Sequence, residues 1–260
     1  MKKHNADPNH HKPARFSGYV LLVLSTVLGA GSMLILVIFL FSGSLLVHLM
    51  DLRMDKMASL GFDAFLCLMF FLQHSLMIRK SYRQWLTQFI RPEYHPALFS
   101  IASGIVLLVL LVFWQQTEPL MEPHLLISWF LRGVFFLSLI GFVLMFFVLG
   151  NWEPFGIREI IHHMRGTTPP QIPLTLRGPY HWIRHPMYFC MLVMIWSCSN
   201  LTADRLLFNV LWTIWMIIGT ILEERDHVAT FGDDYLAYQR QVPMLIPYRL
   251  SLFRKPIEDQ

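Results

Sequence analysis

Long apolar runs alternate with short polar stretches along the whole chain. The apolar runs cover residues 16–50, 58–78, 97–114, 125–149, 186–199 and 203–222. Crossing a bilayer core takes about 20 apolar residues, and in lipid each crossing must pair its own backbone groups, which selects helices. The first run is longer than one crossing needs. It predicts a tilted helix, or one broken near Gly29-Ala30-Gly31 or Ser42-Gly43. The fifth run rises only about 21 Å as helix, against a core of about 30 Å. Joined to the sixth through Asn200-Leu201-Thr202, it predicts a tight helical hairpin, partly re-entrant. The pattern predicts an all-α protein, a polytopic transmembrane bundle of about five to six spans ending in that hairpin. The polar tail from residue 223 begins as a helical continuation. Three stretches follow: a tail (1–15), four spans (16–150), and a C-terminal region of loop, hairpin and tail (151–260).

Charge placement orients these spans. Lys and Arg number four in the N-terminal tail, two in 51–57, four in 79–96, none in 115–124, four in 151–184, one at the hairpin turn and five in the tail. This high–low alternation fits six crossings. It predicts that both termini and loops 79–96 and 151–184 are cytosolic. The expected location is an integral, multi-pass position in a bacterial inner membrane, with the lipid bilayer as surroundings. The net charge of +4 is thus explained by membrane-flanking residues, and nucleic acid is not an expected partner.

Composition agrees. Hydrophobic residues make up 55% and charged residues 15%, against about 25% charged in soluble domains. The first run is too long for a signal peptide and predicts a retained anchor. The three cysteines, Cys67, Cys190 and Cys198, lie in apolar runs without metal or disulfide spacing, so no metal is expected. Within the apolar runs, Arg132 fits a snorkelling side chain near a span end. Gln73, His74 and Ser75 form a polar trio that either bonds to neighbouring helices or lines a substrate cavity.

The chemistry concentrates in the last third. One cluster runs from Arg177 to Tyr188, a second is Glu223-Glu224-Arg225-Asp226, and a third runs from Phe231 to Tyr238 before Val242-Pro243. Pro186 suits the first position of a helix and displaces His185 from helical geometry, so His185 sits at a helix mouth. Free N–H groups there favour an anion. Arg184 offers a fork for a carboxylate, and Tyr180 and Tyr188 offer aromatic faces with polar tips. Gly178-Pro179 can turn the loop back over the site. Together these describe a pocket for a ligand with a carboxylate and a ring. In an antiparallel hairpin Glu223 and Glu224 lie beside His185. Adjacent helix positions point about 100° apart, so at most one of the two is expected to face the pocket directly. The plainer alternatives are a basic flank at Arg184 and a solvated helix end at 223–226.

In order and spacing, Gly178, Tyr180, Arg184-His185-Pro186, Tyr188, Glu223-Glu224, Phe231-Gly232, Tyr235, Tyr238 and Val242-Pro243 resemble the isoprenylcysteine carboxyl methyltransferase-like superfamily. Upstream, Gln73-His74-Ser75, Phe113-Trp114-Gln115 and Phe155-Gly156-Ile157-Arg158, with Val242–Pro247 downstream, resemble its bacterial methanethiol S-methyltransferase branch. The resemblance implies S-adenosylmethionine as cofactor, held by Ile172, Pro173, Leu174, Thr175, Gly178, Tyr180, Arg184, His185, Pro186, Tyr188 and Glu223. It makes 151–260 a cofactor-binding methyltransferase region. It implies a small thiol or lipophilic acceptor entering from the membrane. Gly219 stands where the prenylcysteine enzymes carry a substrate-binding arginine, so a prenylcysteine carboxylate is not the expected acceptor. A thiol, with a pKa of about 8.5, must lose its proton to attack, and His185, His74 and Glu224 are all candidate bases. Two rivals remain at this stage: an NADPH-dependent membrane reductase of the sterol-reductase type, and a non-catalytic sensor or assembly factor.

Overall fold

A computed structural model describes residues 12–42, 50–121, 124–149, 153–170 and 176–248. The predicted cofactor-loop residues Ile172, Pro173, Leu174 and Thr175 lie outside these, as do most of the N-terminal tail and the end of the chain. The elements are almost entirely helical: α1 (Lys12–Ser42), α2 (Lys56–Ile78), α3 (Lys80–Leu86), α4 (His95–Phe113), α5 (Leu125–Leu149), α6 (Ile157–Arg165), α7 (Pro186–Trp196), α8 (Ala203–Phe231) and α9 (Asp233–Gln241). A short antiparallel pairing of β1 (Pro119–Met121) with β2 (Leu201–Thr202) completes them. Among the described residues, five helices are long and apolar enough to cross a membrane: Phe16–Ser42, Lys56–Ile78, Pro92–Phe113, Leu125–Val148 and Ala203–Phe231. The protein is an integral membrane helical bundle.

Contacts divide the chain into two compact units. In the first (1–37, 68–112 and 153–171), α1 continues unbroken through Gly29, so the break considered there does not occur. The reason is close packing. A Cβ on Gly104 of α4 would lie 2.6 Å from the Leu28 carbonyl oxygen, and Ser100 Oγ donates to the Ser25 carbonyl at 3.2 Å. Small residues let the α1 and α4 backbones approach in lipid, where helix association rests on packing. Residue 43 lies outside the described residues, so the alternative break at Ser42-Gly43 falls there. Gln73 donates to Ser103 at 3.2 Å and His74 packs against the rings of Phe70 and Phe99. Gln73 thus takes the helix-bonding role considered for the polar trio.

The second unit (38–67, 113–152 and 172–260) holds the hairpin. α7 has 11 residues and rises about 16 Å, half a bilayer core. Ser197 ends it by turning its hydroxyl onto the Val193 carbonyl at 2.5 Å. Of the six crossings expected from charge, five correspond to helices long enough to span, and α7 is a shorter apolar helix. A non-helical stretch, residues 197–202, follows α7 before α8 begins. The β1–β2 pairing satisfies part of that non-helical backbone, as an apolar environment demands.

Arg205, counted from sequence as a turn charge, is in fact 2% exposed. Its guanidinium donates to the Leu40 carbonyl at 3.0 Å and the Phe39 carbonyl at 3.4 Å, in the last turn of α1, and lies over the Phe39 ring. A cation on unpaired helix-end carbonyls is favourable. Beside it, Asp204 accepts from Trp114 Nε1 (2.9 Å), Thr117 N (3.0 Å) and Thr117 Oγ1 (2.7 Å). Gln115 N donates to Asp63 at 2.9 Å, and the Gln115 amide bonds the Met50 and Phe113 carbonyls. Phe113-Trp114-Gln115 is thus a polar clamp around the start of α8. Arg132 lies over the rings of Trp129 and Phe41.

Candidate functional site

The site forms where the start of α7 meets the end of α8, within the second unit. Pro186 opens α7 as expected, with His185 just before it at φ −124° and ψ 65°. The backbone N–H groups of Arg184 and His185 do not wait for an anion: they donate to the Pro243 and Met244 carbonyls at 2.9 and 3.1 Å. Val242-Pro243 therefore acts through its backbone, strapping the tail to the helix mouth.

Arg184 departs from expectation in the same way. Its fork is filled from within the chain, Nε to Glu224 Oε1 at 2.5 Å and Nη2 to Oε2 at 2.8 Å. Nη1 donates to the carbonyls of Gln239 (3.0 Å) and Val242. Glu224 also bonds His185 Nε2 at 3.2 Å and Gln239 Nε2 at 2.9 Å. A buried bidentate pair with this many extra bonds is the tightest polar knot of the site. It binds α7, α8 and α9 together.

Glu223 is different. Its side chain is 40% exposed, against 11% for Glu224. It accepts from Tyr188 Oη at 2.8 Å, stands 3.9 Å from His185 Nδ1, and meets His227 Nε2 at 3.5 Å. Of the two carboxylates, Glu223 is the one left exposed at the site. The rings of His185 and Tyr188 stack nearly parallel (8°, centroids 5.5 Å), and Glu223 and Glu224 approach opposite nitrogens of that one imidazole.

The tyrosines of α9 pack against the turn that carries Tyr180. Tyr238 Oη donates to the Tyr180 carbonyl at 2.5 Å, and Tyr235, Tyr238 and Val242 form a small core with Leu176, Val228 and Phe231. Gly232 makes the turn from α8 to α9 at φ +59°, a conformation that favours glycine. Gly178 likewise sits at φ +59°, opening the turn that carries Tyr180. Burial, reinforced by the Glu223 charge, pushes the Tyr180 phenol up to about 12. Burial also raises Tyr235 and Tyr238. All three therefore stay hydroxylated donors at neutral pH.

Of the residues predicted from sequence, the structure brings together Gly178, Tyr180, Arg184, His185, Pro186, Tyr188, Glu223 and Glu224. His74 lies in the other unit, in α2. Sequence reading missed two members, His227 and Gln239. His227 sits four residues after Glu223, one helical turn on, which was the available signal. Gln239 had none, because its partner Glu224 is 15 residues away.

The charges define what this site accepts. Arg184 and Glu224 cancel, leaving the Glu223 carboxylate beside stacked rings. An open carboxylate with aromatic faces favours a cationic ligand, and a carboxylate also accepts from hydroxyls.

No protein-family model matches the chain and no solved structure matches it. Named relatives do. A methanethiol S-methyltransferase of Pseudomonas deceptionensis is 34% identical over 75% of this chain and 74% of its own length. Methanethiol S-methyltransferase 1 of Bradyrhizobium diazoefficiens is 33% identical over 71% of this chain and 65% of its own length. Nurim of Rattus norvegicus is 26% identical over 65% of this chain and 68% of its own.

Proposed function

This chain belongs to the methanethiol S-methyltransferase family, and from that premise we propose that it methylates a small thiol or similarly lipophilic acceptor from S-adenosylmethionine. The observation that carries the reading is the division of labour between the two glutamates. Glu224 is consumed by Arg184, while Glu223 stays open beside Tyr188 and His185. A sulfonium is a cation on a soft centre, and an open carboxylate with aromatic faces is suited to it. The ribose hydroxyls of the same cofactor are natural donors to Glu223. When bound, the cofactor supplies an already activated methyl, so the protein's task is positioning and exclusion of water.

Tyr188, Tyr180, His185 and Glu223 are the binding set in this reading, with Gly178 and Pro186 shaping it, and Ile172, Pro173, Leu174 and Thr175 are assigned to it by the family resemblance. Arg184 and Glu224 hold the set together and touch no ligand. This changes Glu224 from a candidate base to a positioning residue, because its oxygens already accept from Arg184, His185 and Gln239. His185 is the proton acceptor for the thiol. Nε2 is bonded to Glu224 at 3.2 Å, which leaves Nδ1, 3.9 Å from Glu223, as the nitrogen that takes the proton. The proton then passes to water on the polar side, taken as the cytosol of a bacterium. A volatile or apolar thiol arrives from the lipid.

The reductase alternative is not favoured, since the named enzymes among the relatives are methyltransferases. The test is transfer of labelled methyl from S-adenosylmethionine by the purified chain in lipid, offered methanethiol and longer thiols. Labelled thioether is expected, together with thermal stabilisation by S-adenosylmethionine and none by NADPH. Stabilisation by NADPH alone, with no label transferred, would overturn the reading.

A further inference from the structure

Between α2, which ends at Ile78, and the span beginning at Pro92 lie only 13 residues, 79–91. Successive crossings leave their connecting segment on one face of the bilayer, and this one is too short to rise far from it. The backbone stays in helical turns almost throughout: Arg83 N bonds the Arg79 carbonyl at 3.0 Å, Thr87 N the Arg83 carbonyl at 3.0 Å, and Ile90 N the Leu86 carbonyl at 2.9 Å. The side chains then segregate by helical spacing. Tyr82, Trp85, Leu86 and Phe89 share one face. Their rings form a continuous ladder, with Tyr82–Trp85 centroids 5.6 Å apart and Trp85–Phe89 5.2 Å. Trp85 is 52% exposed and Phe89 69%. Arg79, Lys80 and Arg83 lie on the other flank and form no ion pair among the described residues. Further along, Arg91 Nη1 lies 3.4 Å from His163 Nε2.

We infer that residues 79–91 form an in-plane anchor that binds the headgroups of anionic phospholipids. Exposed aromatic rings pinned at the membrane surface belong at headgroup level, where an amphipathic ring has both an apolar and a wet neighbour. Unpaired guanidinium and ammonium groups beside them lie at the height of lipid phosphates, and a helix with an aromatic face and a basic flank is the form that lies in the interface. The three cations form no ion pair among the described residues because their partner is the lipid. This anchor is in the first unit and does not depend on the methyl-transfer reading.

The test uses the purified full chain in non-ionic detergent. Retention of dimyristoylphosphatidylglycerol and of dimyristoylphosphatidylcholine is compared by mass spectrometry under native conditions. Each basic residue near an anionic surface contributes up to about fivefold. The chain should therefore prefer the anionic lipid. The combined Arg79→Gln, Lys80→Gln, Arg83→Gln variant should lose at least about tenfold of that preference, while Trp85→Ser should weaken retention of both lipids. Equal retention of the two lipids by the native chain, or an unchanged preference in the triple variant, would overturn the proposal. Should the triple variant not fold, Lys80→Gln alone is expected to lose a fewfold of the preference, and no change there counts against it equally.

Discussion

Replacing Glu224 with Ala should abolish cofactor binding while Glu223 remains in place. The Arg184 side chain is 9% exposed and its fork rests on Glu224 at 2.5 and 2.8 Å. Removing one partner of a buried pair costs about 3–5 kcal/mol, because the other charge is left without compensation. Here the loss spreads further, since His185 and Gln239 bond the same carboxylate. The strap at 242–244 is held at the same point by Arg184, through its side chain to the Val242 carbonyl and its backbone N–H to the Pro243 carbonyl. A drop of at least about hundredfold in affinity corresponds to about 2.7 kcal/mol, somewhat less than that cost. Arg184→Ala should do the same, and the double variant should be little worse than either single one. Calorimetric titration of the three variants with S-adenosylmethionine checks this. Additive losses would show that the two residues act separately.

The second large effect is expected at the opposite end of α8. Asp204→Ala removes the acceptor for Trp114 Nε1, Thr117 N and Thr117 Oγ1. Each buried donor left without a partner costs about 1–3 kcal/mol, so the variant should lose about 3 kcal/mol or more. Arg205→Met should cost less than Asp204→Ala, because an apolar chain of similar length leaves no buried charge behind, although it uncovers the α1 carbonyls. Arg205 and Glu223 are 18 residues apart on one helix, about 27 Å of rise. Whatever fraction of Asp204→Ala folds should therefore bind cofactor normally. Denaturant unfolding in detergent, followed by binding at the lowest denaturant concentration, separates the two outcomes. Unchanged stability would refute the clamp.

These two ends of α8 show what was legible in the residues and what was not. The helices at 58–78, 97–114 and 125–149 were readable because lipid imposes a length on apolar runs, and the structure shifts their ends by at most two residues. The His185-Pro186 helix mouth was readable because proline fixes its own φ and restricts the residue before it. The role of Arg184 was not. A guanidinium presents the same fork to a ligand or to a glutamate 40 residues away, and only the fold decides which is within reach. Arg205 failed as a surface charge for the same reason, since its partners are carbonyls 165 and 166 residues distant. The reach of both glutamates to one histidine escaped a helical-wheel argument, because it neglects the length of a glutamate side chain and the position of the ring between them.

The heat of binding of S-adenosylmethionine to the purified chain, measured beside Glu223→Gln, tests the role of Glu223 most directly. Glu223 is the site's open carboxylate, and the amide keeps its shape while removing its charge. Saturable binding at one site is expected in the native chain, and affinity lowered at least about tenfold in a variant that unfolds at the native temperature; losing a hydrogen bond to a charged group, about 1.5–3 kcal/mol, corresponds to that factor or more. No binding by the native chain, or equal binding by both proteins, would contradict it.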